Sequence, residues 1–311
     1  MKWWQWSIGG IAAIVIVVVL INVLAPPVPA PTESEWDAIK AADPAIFVPG
    51  WSSPVKVAAS NGEWEDSLFV TPDGQRLYFA NYPGDLLKDV GQRKFSDDID
   101  IYYSDYPFTT KVKDTRFHLS EDIWSEVGPF VAANGDFFYN SNRDYLNDRK
   151  SDQDVWLNDE RLAFNDSVPD SEFGNPHYDE SHDELWVDEL DKKMFILKNA
   201  KANDFSGTPE LAPAPIQVDG YSNFQPWLSP DGNTLVFSTN RGEIPGLYGP
   251  QLYTSTRNPD NTWTTPTLIG YSNIGLGEGT MTADGSRLYY LHLYSDGKGN
   301  YTTDMFYVEK V

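Results

Sequence analysis

The stretch QPWLSPDGNTLVFSTNRG, Gln225–Gly242, decides the fold. An apolar run enters a Pro-Asp-Gly turn and leaves it as a second run rich in branched and aromatic residues, the pattern of two paired strands. In such a turn the Asp bonds the local backbone and the Gly takes positive φ, so the unit is a β-hairpin. Four further copies follow the same plan: SLFVTPDGQRLYFANY from Ser67, GPFVAANGDFFYNSNRD from Gly128, NPHYDESHDELWVDEL from Asn175 and GTMTADGSRLYYLHLY from Gly279. Recurrence at this spacing marks a repeat architecture.

A third strand follows each pair, at DIDIYYSDY from Asp98, DQDVWLN from Asp152, KKMFILKN from Lys192, PQLYTSTR from Pro250 and TDMFYVEK from Thr303. Outer strands are expected near Arg116–Leu119, Arg161–Phe164, Pro215–Val218 and Pro266–Gly270. The fifth repeat has no outer strand after it. The missing strand stands at the other end, where WSSPVKVAASN from Trp51 matches WTTPTLIGYSN from Trp263. An N-terminal strand that completes the C-terminal sheet closes a ring without a free edge. The expected fold is therefore all-β: a five-bladed β-propeller of four-stranded blades, closed by an N-terminal strand in the last blade and preceded by one transmembrane helix.

Before the repeats, Ser7–Leu24 is almost wholly apolar and about long enough to cross a bilayer as a helix. Lys2 is the sole charge ahead of it, with Trp3, Trp4 and Trp6 suited to the headgroup level, so the N-terminus is expected in the cytoplasm. Val28 and Ala30 resemble a signal-peptidase site, but Pro31 would follow the cut, which favours an uncleaved anchor. The segment Ala25–Pro31 reads as a stiff, extended spacer. Thr32 and Glu35 form the pattern of a capping box for one short helix that Pro44 would end. The chain thus divides into an anchor at 1–24, a spacer and helix at 25–50, and a propeller at 51–311.

A formal charge of −23 over 311 residues repels phosphate backbones and makes nucleic acid a poor partner. No cysteine is present, which excludes disulfides and thiolate metal sites. Helix-rich architectures fit poorly with 23 Gly, 22 Pro and an aromatic content of 14%.

The copies FQPWLSPDGNTLVFSTNRG, Phe224–Gly242, and LFVTPDGQRLYFAN, Leu68–Asn81, resemble the WD-like, TolB-type propeller repeat of bacteria. The resemblance covers roughly Trp51–Val311 and implies a propeller outside the cytoplasm, often with a protein-binding role. TolB proteins have six blades and a separate N-terminal domain, so no particular partner carries over. The expected location is the bacterial inner membrane, single-pass, with the C-terminal domain periplasmic or extracellular.

In a four-stranded blade, the entry to the inner strand and the connection between strands two and three share one face of the disc. Long second-to-third connections, at about 83–96, 142–151 and 242–249, point to function on that face. It also receives Glu65, Asp66, Glu126, Glu172 and Glu278, with Asn223 and Gln225 in the fourth repeat. If directed into the channel mouth, these side chains suit a cation such as Ca²⁺, a basic peptide or sugar hydroxyls. A glutamate at this entry also has a purely structural reading, bonding the backbone of the neighbouring blade.

Two functional classes follow. The first is a binding or scaffolding module for an envelope protein, peptide or glycan, with no cofactor and its oligomeric state open. The second is a propeller glycoside hydrolase, with Glu65 or Asp66, Glu126 and Glu172 supplying the acid and its base or nucleophile. An NDPNG segment of the sucrase type is absent, and so is GxSxG for a nucleophilic serine. His177 and His182 with Asp179, Glu180 and Asp183 span a strand and its turn and match no zinc motif. GLGEG from Gly275 precedes a strand, where a phosphate loop would want a helix.

Overall fold

The computed structural model describes residues 29–92, 99–119, 124–143, 153–168, 171–189, 192–242 and 249–311. The expected membrane span at 7–24 lies outside them, and no helix among the described residues is long and apolar enough to cross a membrane.

The first helix, α1 (Glu33–Ala42), starts at the expected capping box: the Glu35 amide donates to Thr32 Oγ1, and the Glu35 carboxylate accepts from the Thr32 amide. Two short strands follow, β1 (Ile46–Phe47) and β2 (Val55–Lys56). Blade one holds β3 (Trp64–Val70), β4 (Arg76–Tyr82), helix α2 (Leu86–Gln92), β5 (Asp100–Asp105) and β6 (Val112–Lys113). Blade two holds β7 (Glu126–Val131), β8 (Phe137–Ser141), β9 (Asp154–Leu157) and β10 (Glu160–Arg161). Blade three runs β11 (Phe173–Asp179), β12 (Glu184–Glu189), β13 (Lys193–Lys198) and β14 (Glu210–Leu211). Blade four runs β15 (Asn223–Leu228), β16 (Thr234–Thr239), β17 (Gln251–Thr256) and β18 (Thr267–Tyr271). Blade five has β19 (Gly275–Met281), β20 (Arg287–Ser295) and β21 (Tyr301–Glu309).

All pairings are antiparallel, and β2 completes blade five by pairing Val55 with Tyr307 and Lys56 with Phe306. The ring therefore closes as the Trp51 and Trp263 words indicate. The architecture is an all-β, five-bladed propeller with four-stranded blades. Blade four gains a fifth strand, β1, on the outside of β18.

Three outer strands stand elsewhere than expected. In blade one the strand is Val112–Lys113, and Arg116–His118 is a 3-10 turn. In blade two it is Glu160–Arg161, with a 3-10 turn over Ala163–Ser167, and in blade three it is Glu210–Leu211 rather than Pro215–Val218. An outer strand of two residues carries almost no alternation, and the apolar residues that follow it are those that turn back into the core: Leu119, Phe164 and Ile216 are all buried.

Of the segment read as a stiff, extended spacer, the described residues begin at Pro29, which is docked on the propeller. Asn300 Nδ2 donates to the Pro29 carbonyl at 3.2 Å. The buried Asp304 carboxylate draws in Lys40 of α1 and Lys56 of β2, each at 2.7 Å. Asp43, after α1, accepts from the amides of Asn273 and Ile274. A buried carboxylate needs paired cations or donors, and here that need straps α1 onto blade five.

Candidate functional site

Every inner strand carries a bulge at the same register. The shift falls between Asp66 and Phe69, Val127 and Phe130, Gly174 and His177, Phe224 and Trp227, and Gly277 and Thr280. The first bulged residue has positive φ in each blade: Ser67, Gly128, Asn175, Gln225 and Glu278. A bulge re-aims side chains locally, and this column faces the propeller axis.

A polar girdle results. Ser67 Oγ donates to Asp66 Oδ1 at 2.9 Å and lies 3.5 Å from Asn175 Oδ1. Asn175 Nδ2 donates to Asp188 Oδ2 at 2.8 Å, and the Gln225 amide donates to the same oxygen at 2.8 Å. Gln225 Nε2 donates to Glu278 Oε1 at 2.5 Å, and Glu278 neighbours Asp66 across the seam that closes the ring. Burial raises the Asp66 pKa above its ordinary value.

The girdle also staples neighbouring blades. On the second strand, the residue opposite the bulge accepts the bulged amide of the next blade: Asn140 Oδ1 from Asn175, Asp188 Oδ2 from Gln225 and Ser238 Oγ from Glu278. The equivalent positions in blades one and five are Ala80 and Leu291, which cannot accept. The five-one seam uses Thr303 instead, whose Oγ1 accepts from the Glu65 amide and donates to the Glu65 carbonyl, both at 2.8 Å.

Two residues past each bulge begins a second layer, made by Phe69, Phe130, His177, Trp227 and Thr280. Between ring centres, Phe69 and Phe130 meet edge-on at 4.9 Å, Phe130 and His177 lie tilted at 4.2 Å, and His177 and Trp227 meet edge-on at 6.2 Å. These rings plug the channel. On the girdle side they leave a cavity of about 40 Å³, and on the turn side a socket of about 120 Å³. The smaller space has room for water but not for a sugar.

The seven residues expected at the mouth fall in four registers. Glu65, Glu126 and Asn223 lie two before the bulge, Asp66 one before it, and Gln225 and Glu278 on it, while Glu172 precedes β11. Only Asp66, Gln225 and Glu278 join the girdle. Glu65 turns toward blade five, taking Ser60 Oγ at 2.9 Å and the Asn61 amide at 3.3 Å. Burial pushes its pKa up to about 7, partly opposed by those donors. Glu126 takes Ser141 Oγ at 3.1 Å, and Asn223 takes Thr239 Oγ1 at 2.9 Å, so both bond across their own hairpins.

The histidine cluster of blade three is a hairpin turn. His182 Nδ1 lies 2.8 Å from Asp179, and Asp183 accepts from Tyr178 and the Lys201 amide. His177 points the other way, into the plug, where Nε2 sits 3.1 Å from the Leu228 amide and burial lowers its pKa to about 3. Among the described residues no group of three or more His, Asp or Glu side chains is arranged to hold a metal ion. Asp188, Asn140 and the plug residues escape a reading that stops at inner-strand acids. Aligning the second strands of the five copies would have put Ala80, Asn140, Asp188, Ser238 and Leu291 in one column.

No family model matches the chain, and no curated protein sequence does. Solved structures do match. The catalytic domain of the Coprinopsis cinerea GH62 α-L-arabinofuranosidase is similar at 9% identity and a TM-score of 0.52, over 85% of this chain and 97% of that one. The tail fibre of a Staphylococcus aureus phage is similar at 10% identity and a TM-score of 0.46, over 83% of this chain, which spans 53% of the fibre chain. A putative TolB from Agrobacterium tumefaciens is similar at 12% identity and a TM-score of 0.41, over 80% of this chain and 83% of that one. At these identities the likeness is one of fold, and the chain is a five-bladed propeller with TolB-like and hydrolase propellers among its structural neighbours.

Proposed function

We propose that the chain is a membrane-tethered propeller of the bacterial envelope that binds a protein, peptide or glycan through its long-connection face, and that it is not a glycoside hydrolase. One observation carries the reading. Asp66 and Glu278 neighbour each other across the closing seam, and both are taken up by structural partners: Asp66 accepts from Trp64 Nε1 and Ser67 Oγ, and Glu278 accepts from Gln225 Nε2. A retaining glycosidase holds its two carboxyls about 5 Å apart and an inverting one further still, with the sugar between them. Asp188, the third axial carboxylate, is already engaged by Asn175 and Gln225. On the long-connection face, Val218 and Tyr221 stand between blades three and four as exposed apolar side chains, the kind that anchor an interface.

The test is crosslinking and pulldown of the full-length chain from envelope membranes, comparing wild type with a Val218→Ser, Tyr221→Ser double variant. A partner captured by wild type and lost by the variant is the expected result. Equal capture by both would place binding elsewhere. Glycoside release by wild type, abolished in Asp66→Asn, would replace this reading with the hydrolase.

A further inference from the structure

The socket on the opposite, turn face is a second feature of the axis, and it does not depend on the reading above. Its walls come from all five blades: Val70, Val131, Tyr178, Leu228 and Met281 at the sides, with Phe130, His177 and Trp227 among the rings of the floor. At about 120 Å³ it approaches the roughly 150 Å³ of an apolar cavity that takes up benzene. That size suits one branched aliphatic side chain. A polar group placed there would lose its hydrogen bonds to water with little in return.

The rim has a different chemistry. Pro72, Ala133, Glu180 and Pro230 line the opening and are exposed. Asp73 and Asp231 directly follow the two prolines, and Asp284 occupies the matching turn of blade five. Each of these aspartates accepts from a hydroxyl and an amide of its own turn: Thr71 and Gln75, Ser229 and Asn233, Thr282 and Ser286. Those bonds favour the charged form and hold the three carboxyls below the usual range. Glu180 Oε1 accepts from the Ala133 amide at 2.6 Å, which sets a carboxylate at the edge of the opening. Asp179 pairs with Arg257 at 3.2 Å, a cation that it shares with Glu184 at 2.7 Å.

We propose that this socket is a docking site for a basic peptide segment, which inserts one aliphatic side chain and pairs flanking Lys or Arg residues with Glu180 and the turn aspartates. Charge complementarity selects the occupant. An acidic or neutral segment with the same anchor meets four carboxylates and a chain of charge −23. The apolar pocket gives the depth of binding, and the rim decides which segments reach it.

The experiment is isothermal titration of the full-length chain in phosphatidylcholine nanodiscs, with empty nanodiscs as the blank. The probes are the synthetic peptides Ac-Lys-Lys-Leu-Lys-Lys-NH2, its Leu-to-Ala analogue, and the analogue with Glu in place of Lys. The leucine peptide is expected to bind at least tenfold more tightly than either analogue. Ala133→Trp, which obstructs the opening from an exposed turn, and Glu180→Lys should each weaken it at least tenfold without changing the melting temperature. Equal affinity for the alanine peptide would reduce the effect to diffuse charge and overturn the proposal. So would undiminished binding by Ala133→Trp, or no binding of the leucine peptide.

Discussion

The backbone amide of Gln225 reaches across the seam between blades four and three to Asp188 Oδ2 at 2.8 Å, and the same oxygen takes Asn175 Nδ2 at 2.8 Å. One second-strand carboxylate thus fixes two bulges of the axial girdle. Replacing it by alanine strands two buried donors, at a cost of about 1–3 kcal/mol each. Asp188→Ala should therefore lose about 2–6 kcal/mol in urea unfolding, and Asp188→Asn, which keeps one acceptor, distinctly less. Equal stability of all three proteins would show that the girdle does not hold the seam.

Gly128 is the one bulge residue without a side chain, and the reason is steric. A Cβ there would lie 2.6 Å from Asn140 Oδ1 and 3.2 Å from the Asn175 Cα, on a backbone with φ of +65°. Gly128→Ala should cost about 1–3 kcal/mol, read as a lowered urea midpoint. An unchanged midpoint would mean that Asn140 moves aside freely.

Glu65 gives the fold a pH dependence of unusual sign. Its folded pKa of about 7 stands above the ordinary 4.5, so the folded chain holds the proton more tightly than the unfolded one. Its contribution is complete below about pH 4.5 and is lost as pH rises toward 7. The loss is about 3 kcal/mol. The neutral isostere Glu65→Gln should gain on wild type by about that much between pH 4.5 and 7.5 in urea unfolding. Parallel curves would refute the assignment.

His177 acts in the opposite direction. Burial holds its folded pKa near 3, below the ordinary 6.5, so the unfolded chain takes up the proton first. Its stabilisation is complete above pH 6.5 and drains away as pH falls toward 3. Between about pH 4.5 and 6.5 the two residues offset each other. His177→Gln should therefore expose the Glu65 slope, and Glu65→Gln the His177 slope, as opposite tilts of the same stability curve.

The blades were legible because each repeats a Pro-Asp-Gly-like turn between two long runs, and the closure because Trp51 and Trp263 begin the same word. The outer strands were not, since Val112–Lys113, Glu160–Arg161 and Glu210–Leu211 are too short to show a period. The site was read one step off for a physical reason. A bulge changes which neighbour a side chain faces, and it is carried by residues as unlike as Ser67, Gly128, Asn175, Gln225 and Glu278. Acids chosen by type, such as Glu65 and Glu126, therefore landed in seams and hairpins, while Asp188 on a second strand went unread.

The contact between Asn300 and the Pro29 carbonyl sets the length of a leash. On the proposed reading, in which an anchor ends at Leu24, five peptide steps would remain before the chain is fastened to blade five, at most about 18 Å when fully extended. Asn300 lies between β20 and β21, on the side of the long connections. On the proposed membrane-tethered reading, a leash this short would turn that side toward the bilayer and the Pro-Asp-Gly turns away from it. Partners embedded in the same membrane would be met by lateral diffusion at high effective concentration, and soluble segments would meet the far side, where the aromatic socket opens.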